Sequence, residues 1–169
     1  GDKAMMEKLH VLIVDDDPNN RERIRDFSEA MLFANELNIE TVNNAEQALQ
    51  KLQGVGGNEI DLVVTDNSMP GLSGAEMAQQ IRKNKYFGGV PIVMCTGDPE
   101  FERVKDIALR SGVNVVMHVP HSADELLETY REVLPPEAFS APGGADSKSH
   151  KPNIVDTRDP DPGHTPEYG

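Results

Sequence analysis

Five short β-rich runs, at residues 10–14, 39–42, 60–65, 91–95 and 113–119, are separated by stretches of helical periodicity. That alternation constrains the fold more than any other feature of the chain. The segments "VLIV", "DLVV" and "PIVM" run apolar where a half-exposed strand would alternate with polar residues. Strands of this kind are covered on both faces, which is the habit of parallel sheets joined by crossover helices. The pattern predicts an α/β domain: a five-stranded parallel sheet with helices on both sides. Ligands of such sheets sit beyond the carboxyl ends of the strands.

The helical stretches carry start signals. Asp17-Pro18 offers a cap followed by proline at the first helical position, and Asp98-Pro99 repeats the device. Asn44-x-x-Gln47, Ser73-x-x-Glu76 and Ser122-x-x-Glu125 fit the capping-box pattern. Apolar stripes follow at three- and four-residue spacing. They are Ile24/Phe27/Met31/Ala34, Ala45/Ala48/Leu49/Leu52, Met77/Ala78/Ile81, Val104/Ile107/Ala108 and Leu126/Leu127/Tyr130/Val133/Leu134. Gly112 reads as a helix stop.

Only 37% of the 169 residues are apolar, but they concentrate between residues 10 and 134, enough for one core. We read residues 8–134 as the domain and 1–7 as an N-terminal extension whose leading "GDKA" resembles an expression remnant. Residues 135–169 are dense in Pro, Gly, Ser and Asp, with Ile154-Val155 their one β-branched apolar pair. They read as a flexible or docked tail, with no output domain for DNA binding or catalysis. A net charge of −13 argues against nonspecific binding to nucleic acid or anionic membrane, both of which need basic surfaces. The single cysteine, Cys95, rules out an intramolecular disulfide and reads as a small core residue. No apolar run approaches the roughly 20 residues of a membrane span, and no hydrophobic signal region opens the chain. Cytoplasm is the expected location.

The strand ends hold the chemistry: Asp15, Asp16 and Asp17 after the first run, Asp66 after the third, Thr96 after the fourth. Carboxylates converging from neighbouring strands suit a hard cation, most plausibly Mg²⁺. Adjacent strand side chains point to opposite faces, so all three consecutive aspartates cannot meet one ion. Two converge as the chain curls away, and Asp17 is left to cap the helix begun by Pro18. Taken singly, Asp66 reads equally well as a loop cap, and Thr96 as a solvated hydroxyl. Together they predict a carboxylate that is phosphorylated on its own side chain, with the hydroxyl binding a phosphoryl oxygen.

In that order and at those intervals, "VLIVDDDP", "DLVVTDNSMPGLSGAEM", "PIVMCTG" and "GVNVVMHVPHSADEL" resemble the receiver domain of two-component response regulators. The resemblance covers about residues 8–134. It implies a flavodoxin-like fold and phosphoryl transfer to Asp66 from a histidine kinase or a histidine phosphotransfer protein. It further implies that Asp15, Asp16, Asp66 and the backbone carbonyl of Ser68 hold Mg²⁺. Thr96 falls on the switch hydroxyl and Gly97 on the small residue after it. A downstream protein target is implied, and a homodimer or partner surface on the face of the fourth helix and fifth strand.

Two positions depart from the family. Val119 stands where a lysine usually pairs with the phosphoryl group, and Val116 where an aromatic usually reads the switch. His118 is one residue away and would point to the opposite face. Pro120 matches a proline whose preceding bond is often cis in the family. Two functional readings follow: a stand-alone phosphorylated receiver, or a degenerate receiver that binds partners constitutively. A third, an aspartyl-phosphate hydrolase of the haloacid dehalogenase kind, finds its Asp-x-Asp in Asp15 to Asp17 but lacks the Gly-Thr that should follow.

Overall fold

The structure is a computed structural model that describes residues 5–54, 56–139 and 153–156. Its elements run β1 (Lys8–Val14), α1 (Pro18–Met31), β2 (Glu36–Val42), α2 (Ala45–Gln53), β3 (Leu62–Thr65) and α3 (Gly74–Arg82), then β4 (Ile92–Thr96), α4 (Phe101–Ser111), β5 (Val115–His118), α5 (Ala123–Tyr130) and β6 (Asn153–Asp156). All sheet pairings are parallel, in the order β5-β4-β3-β1-β2-β6. The doubly wound fold holds, with one strand more than the sequence predicted. That sixth strand contains Ile154-Val155 and lies along β2 from Glu36↔Asn153 to Ile39↔Asp156. Pro136–Phe139 forms a short 3-10 turn whose Ala138 is fully buried and accepts the Phe33 amide at 2.9 Å. The rest of the segment read as a tail, and the "GDKA" at residues 1–4, lie outside the described residues.

Residues alternating along the strands feed two cores, one on each face of the sheet. Leu12, Val14, Val63 and Met94 pack with α2, α3 and α4, while Val11, Ile13, Val64, Val93 and Cys95 pack with α1 and α5. Cys95 is buried, and burial pushes its thiol far above the ordinary range, so it fills space. β2 starts three residues before its predicted run: exposed Glu36 and half-buried Asn38 alternate with the buried Leu37 and Ile39, so its first half is not a continuous apolar run.

Caps form where predicted for most helices. Asp17 accepts from the Asn19 amide, Asn44 from Gln47, Ser73 from Glu76 and Ser122 from Glu125. The Asp98-Pro99 prediction is corrected. α4 starts only at Phe101, and Asp98 instead accepts the Glu100 amide (2.8 Å) within a turn. Two stripes also differ. Ile107 is 45% exposed, with Val104, Ala108 and Ser111 forming the buried face of α4. α1 ends at Met31 and buries Ile24, Arg25 and Ser28, leaving Phe27 half-buried. Arg25 is tolerated inside because its Nε meets Glu29 at 3.2 Å one turn on. Gly112 ends α4 with φ of 109°, a conformation that favours glycine.

Candidate functional site

The acidic site is built where β1 and β3 end side by side. The Asp66 amide donates to the Val14 carbonyl at 3.0 Å, and the Asp15 amide to the Val42 carbonyl at 3.2 Å. After Asp15 the backbone curls: the Asp15 carboxylate accepts the Asp17 amide at 2.9 Å. This turn points Asp15 inward, leaves Asp16 exposed at the rim and sends Asp17 to the cap of α1. The Arg21 guanidinium closes the turn by donating to the Asp15 carbonyl at 2.8 Å. The paired Asp15 and Asp17 that a haloacid dehalogenase-like hydrolase would need are therefore committed to different tasks.

One carboxylate oxygen from each of Asp15, Asp16 and Asp66 lies within 4.8 Å of the others. Burial is the main force on the two inner carboxyls. It pushes Asp15 up to about 7 and Asp66 up to about 6, against hydrogen bonds from the Asp17 and Asn67 amides that favour the ionised forms. Neighbouring charges add to the rise. Asp66, Asp16 and Asp17 act on Asp15, and Asp16, Asp17 and Asp98 act on Asp66. All of them are carboxylates. A set of hard oxygen donors this close, in so negative a setting, suits a divalent hard cation that would relieve the repulsion.

The loop after Asp66 is held by residues the sequence reading did not single out. Asn67 accepts the Gly74 amide on its carbonyl (2.9 Å) and the Ala75 amide on its side chain (3.2 Å), pinning the start of α3 against the site. The fit requires glycine at 74, since a Cβ there would lie 2.2 Å from the Asp66 carbonyl oxygen. An asparagine directly after the strand-end aspartate is a loop-forming signal that could have flagged this position. Ser68 is exposed in the same loop, two residues beyond Asp66.

Thr96 closes the site from β4. It is buried, and its hydroxyl accepts the Asp98 amide at 3.1 Å. Gly97 is exposed beside it, and a Cβ on Gly97 would stand 3.8 Å from Cγ2 of Val119. Val119, directly after β5, thus offers the site a methyl group and no cation. His118 does not supply one: its ring stacks on Phe101 of α4, centroids 3.7 Å apart and planes 17° from parallel. Val116 is buried in the core beside α4. Among the described residues there is no cis peptide bond, so Val119–Pro120 is trans, the form ordinarily favoured before proline.

Residues 11–131 match the family model described as "Response regulator receiver domain". The chain belongs to this family. The receiver is 32% identical over 121 residues to the two-component response regulator ARR7 of Arabidopsis thaliana, covering 67% of this chain and 56% of ARR7. It thus spans little more than half the length of that relative. Among solved structures, it is similar to the chemotaxis response regulator CheY4 of Vibrio cholerae, with a TM-score of 0.63, 27% identity, and coverage of 77% of this chain and 100% of that one. It is also similar to the response regulator TrrA of Thermotoga maritima in complex with Mg(2+)-BeF, with a TM-score of 0.60, 30% identity, and coverage of 75% and 99%. Among the described residues, no helix is long and apolar enough to cross a membrane.

Proposed function

We propose that this receiver accepts a phosphoryl group on Asp66 from a histidine kinase or a histidine phosphotransfer protein, in a Mg²⁺-dependent step. The observation that carries this reading is the convergence of the Asp15, Asp16 and Asp66 carboxylates within 4.8 Å, with Thr96 at the next strand end. Asp15, Asp16, Asp66 and the Ser68 carbonyl would hold the ion, which when bound offsets negative charge on the phosphoryl oxygens. A carboxylate oxygen of Asp66 attacks phosphorus of the donor's phosphohistidine. An O–P bond forms, the N–P bond breaks, and the electron pair returns to the imidazole nitrogen. The Thr96 hydroxyl donates a hydrogen bond to a phosphoryl oxygen, and Gly97 leaves room beside it. Asp66 acts from its ionised form: in the ion-free site burial pushes its carboxyl up to about 6, and a bound cation would favour ionisation. The protein is then a phosphoacceptor that signals through contacts with a downstream protein, in the cytoplasm, and not a turnover enzyme.

A second reading is favoured by Val119, which brings a methyl to the Thr96–Gly97 side of the site. A lysine would contribute a charge-assisted contact to phosphate. Without it the receiver would act as a constitutive interaction module whose switch is weak or silent. One experiment separates the readings: intact mass and gel filtration with and without a small phosphoryl donor and Mg²⁺, on wild type and Asp66→Asn. The phosphoacceptor reading expects an adduct of one phosphoryl group that is lost in Asp66→Asn. No adduct on wild type would overturn it.

A further inference from the structure

The fifth strand lacks an aromatic at Val116, yet an aromatic pair sits one strand repeat further on. Side chains two apart on a strand share a face, so Val116 and His118 both look toward α4. Val116 is a buried, stiff side chain with no ring to move. His118 is exposed and lies flat on Phe101, which is itself half-buried against the core patch that includes Val116 and Val104.

This pair is tied to the acidic site by two routes. In the β4–β5 register, Thr96 is the direct partner of His118. Along the chain, the Thr96 hydroxyl accepts the Asp98 amide and the Asp98 carboxylate accepts the Glu100 amide. Glu100 is the cap position of α4, with φ −93° and ψ 53°, and its side chain makes no capping hydrogen bond. The first turn of α4 is therefore steadied by a relay that starts at Thr96, and Phe101 is the next residue.

We propose that the Phe101–His118 stack is the output contact of the switch, in place of an aromatic at position 116. The proposal rests on Asp66 being the phosphoacceptor. A Thr96 hydroxyl that turns to donate to a phosphoryl oxygen gives up the Asp98 amide. The turn at residues 98–100 loosens, and Phe101 slides off the His118 ring. The rearrangement appears on the outer surface between α4 and β5, where a partner can sense it.

The test follows the ring resonances of His118 and Phe101 and the Asn67 amide by NMR, as Mg²⁺ and beryllofluoride are added to the chain. In wild type all three move together. In Thr96→Ala, with beryllofluoride raised until the Asn67 amide shift saturates, the rings stay still, while Thr96→Ser restores the ring response. In Phe101→Leu the Asn67 amide moves as in wild type, and the His118 response is lost. If the Asn67 amide of wild type moves while the rings do not, the stack is static packing and the proposal fails with the phosphoacceptor reading intact. If neither moves, both fall.

Discussion

Val119 and Gly97 face each other across the Thr96 side of the acidic site, with Cγ2 of Val119 3.8 Å from where a side chain on Gly97 would begin. A longer side chain at 119 therefore starts beside the place where a phosphoryl group would be bound. Val119→Lys is expected to tighten beryllofluoride binding at least about tenfold, the lower end of what a hydrogen bond to a charged group contributes. Titration of both proteins in Mg²⁺ measures this. Equal affinities would mean that the site does not use a cation at position 119.

Stability should depend on pH in a direction set by the two buried carboxyls. In the fold Asp15 titrates near 7 and Asp66 near 6, both above their ordinary value of 3.8. The native state then holds protons more tightly than the unfolded chain, so the stabilisation is complete below about pH 4 and is lost as pH rises through 7. The metal-free protein is expected to melt at lower temperature at pH 8 than at pH 5.5. Asp15→Asn should flatten that slope, and Mg²⁺ should raise the melting temperature more at pH 8 than at pH 5.5. Parallel slopes for wild type and Asp15→Asn would refute the assignment.

Gly74→Ala forces a methyl group onto the Asp66 carbonyl, at a separation of 2.2 Å in the present backbone. The expected cost is about 1–3 kcal/mol in urea unfolding, the usual scale for overpacking, together with weakened beryllofluoride binding. Gly89→Ala is the control, since nothing lies within 4 Å of its added methyl. Similar losses in the two variants would show that the contact at Gly74 is relieved at no cost.

Tyr130 is fully buried, and its hydroxyl meets the Ser28 hydroxyl at 2.9 Å, while Ser28 donates to the Ile24 carbonyl at 2.6 Å. Tyr130→Phe removes one end of this chain and is expected to cost about 1 kcal/mol. Ser28→Ala with Tyr130→Phe should cost less than the sum of the two single changes, because each removes the same bond. Additive losses would indicate that the two hydroxyls are not coupled.

The acidic site was legible in the sequence because its side chains cluster at the ends of apolar strand runs, and strand ends are where this architecture places ligands. Asp17 could be separated from Asp15 and Asp16 by the proline behind it. The supporting residues were harder. Arg21 and Asn67 act through backbone groups, and no periodicity marks such contacts. The sixth strand was hidden because Ile154-Val155 is too short a run to stand out from a polar segment. Ile107 and Arg25 show the limit of counting apolar positions. Ile107 has helical spacing yet faces outward, and Arg25 is charged yet buried through its partner Glu29. The contact of His118 with Phe101 joins two elements, and sequence spacing carries no signal for it.

The position of β6 has a consequence for the solution behaviour of the molecule. An outermost strand presents unpaired amides and carbonyls that can template a foreign strand. β2 has seven residues and would be such a template, but its first four are paired with β6. The open ladder passes to a strand of four residues, close to the shortest that pairs at all. Placed there, β6 covers part of an edge through which sheets associate, and removing it would leave β2, half of the longest parallel pair among the described residues, with its outer side bare.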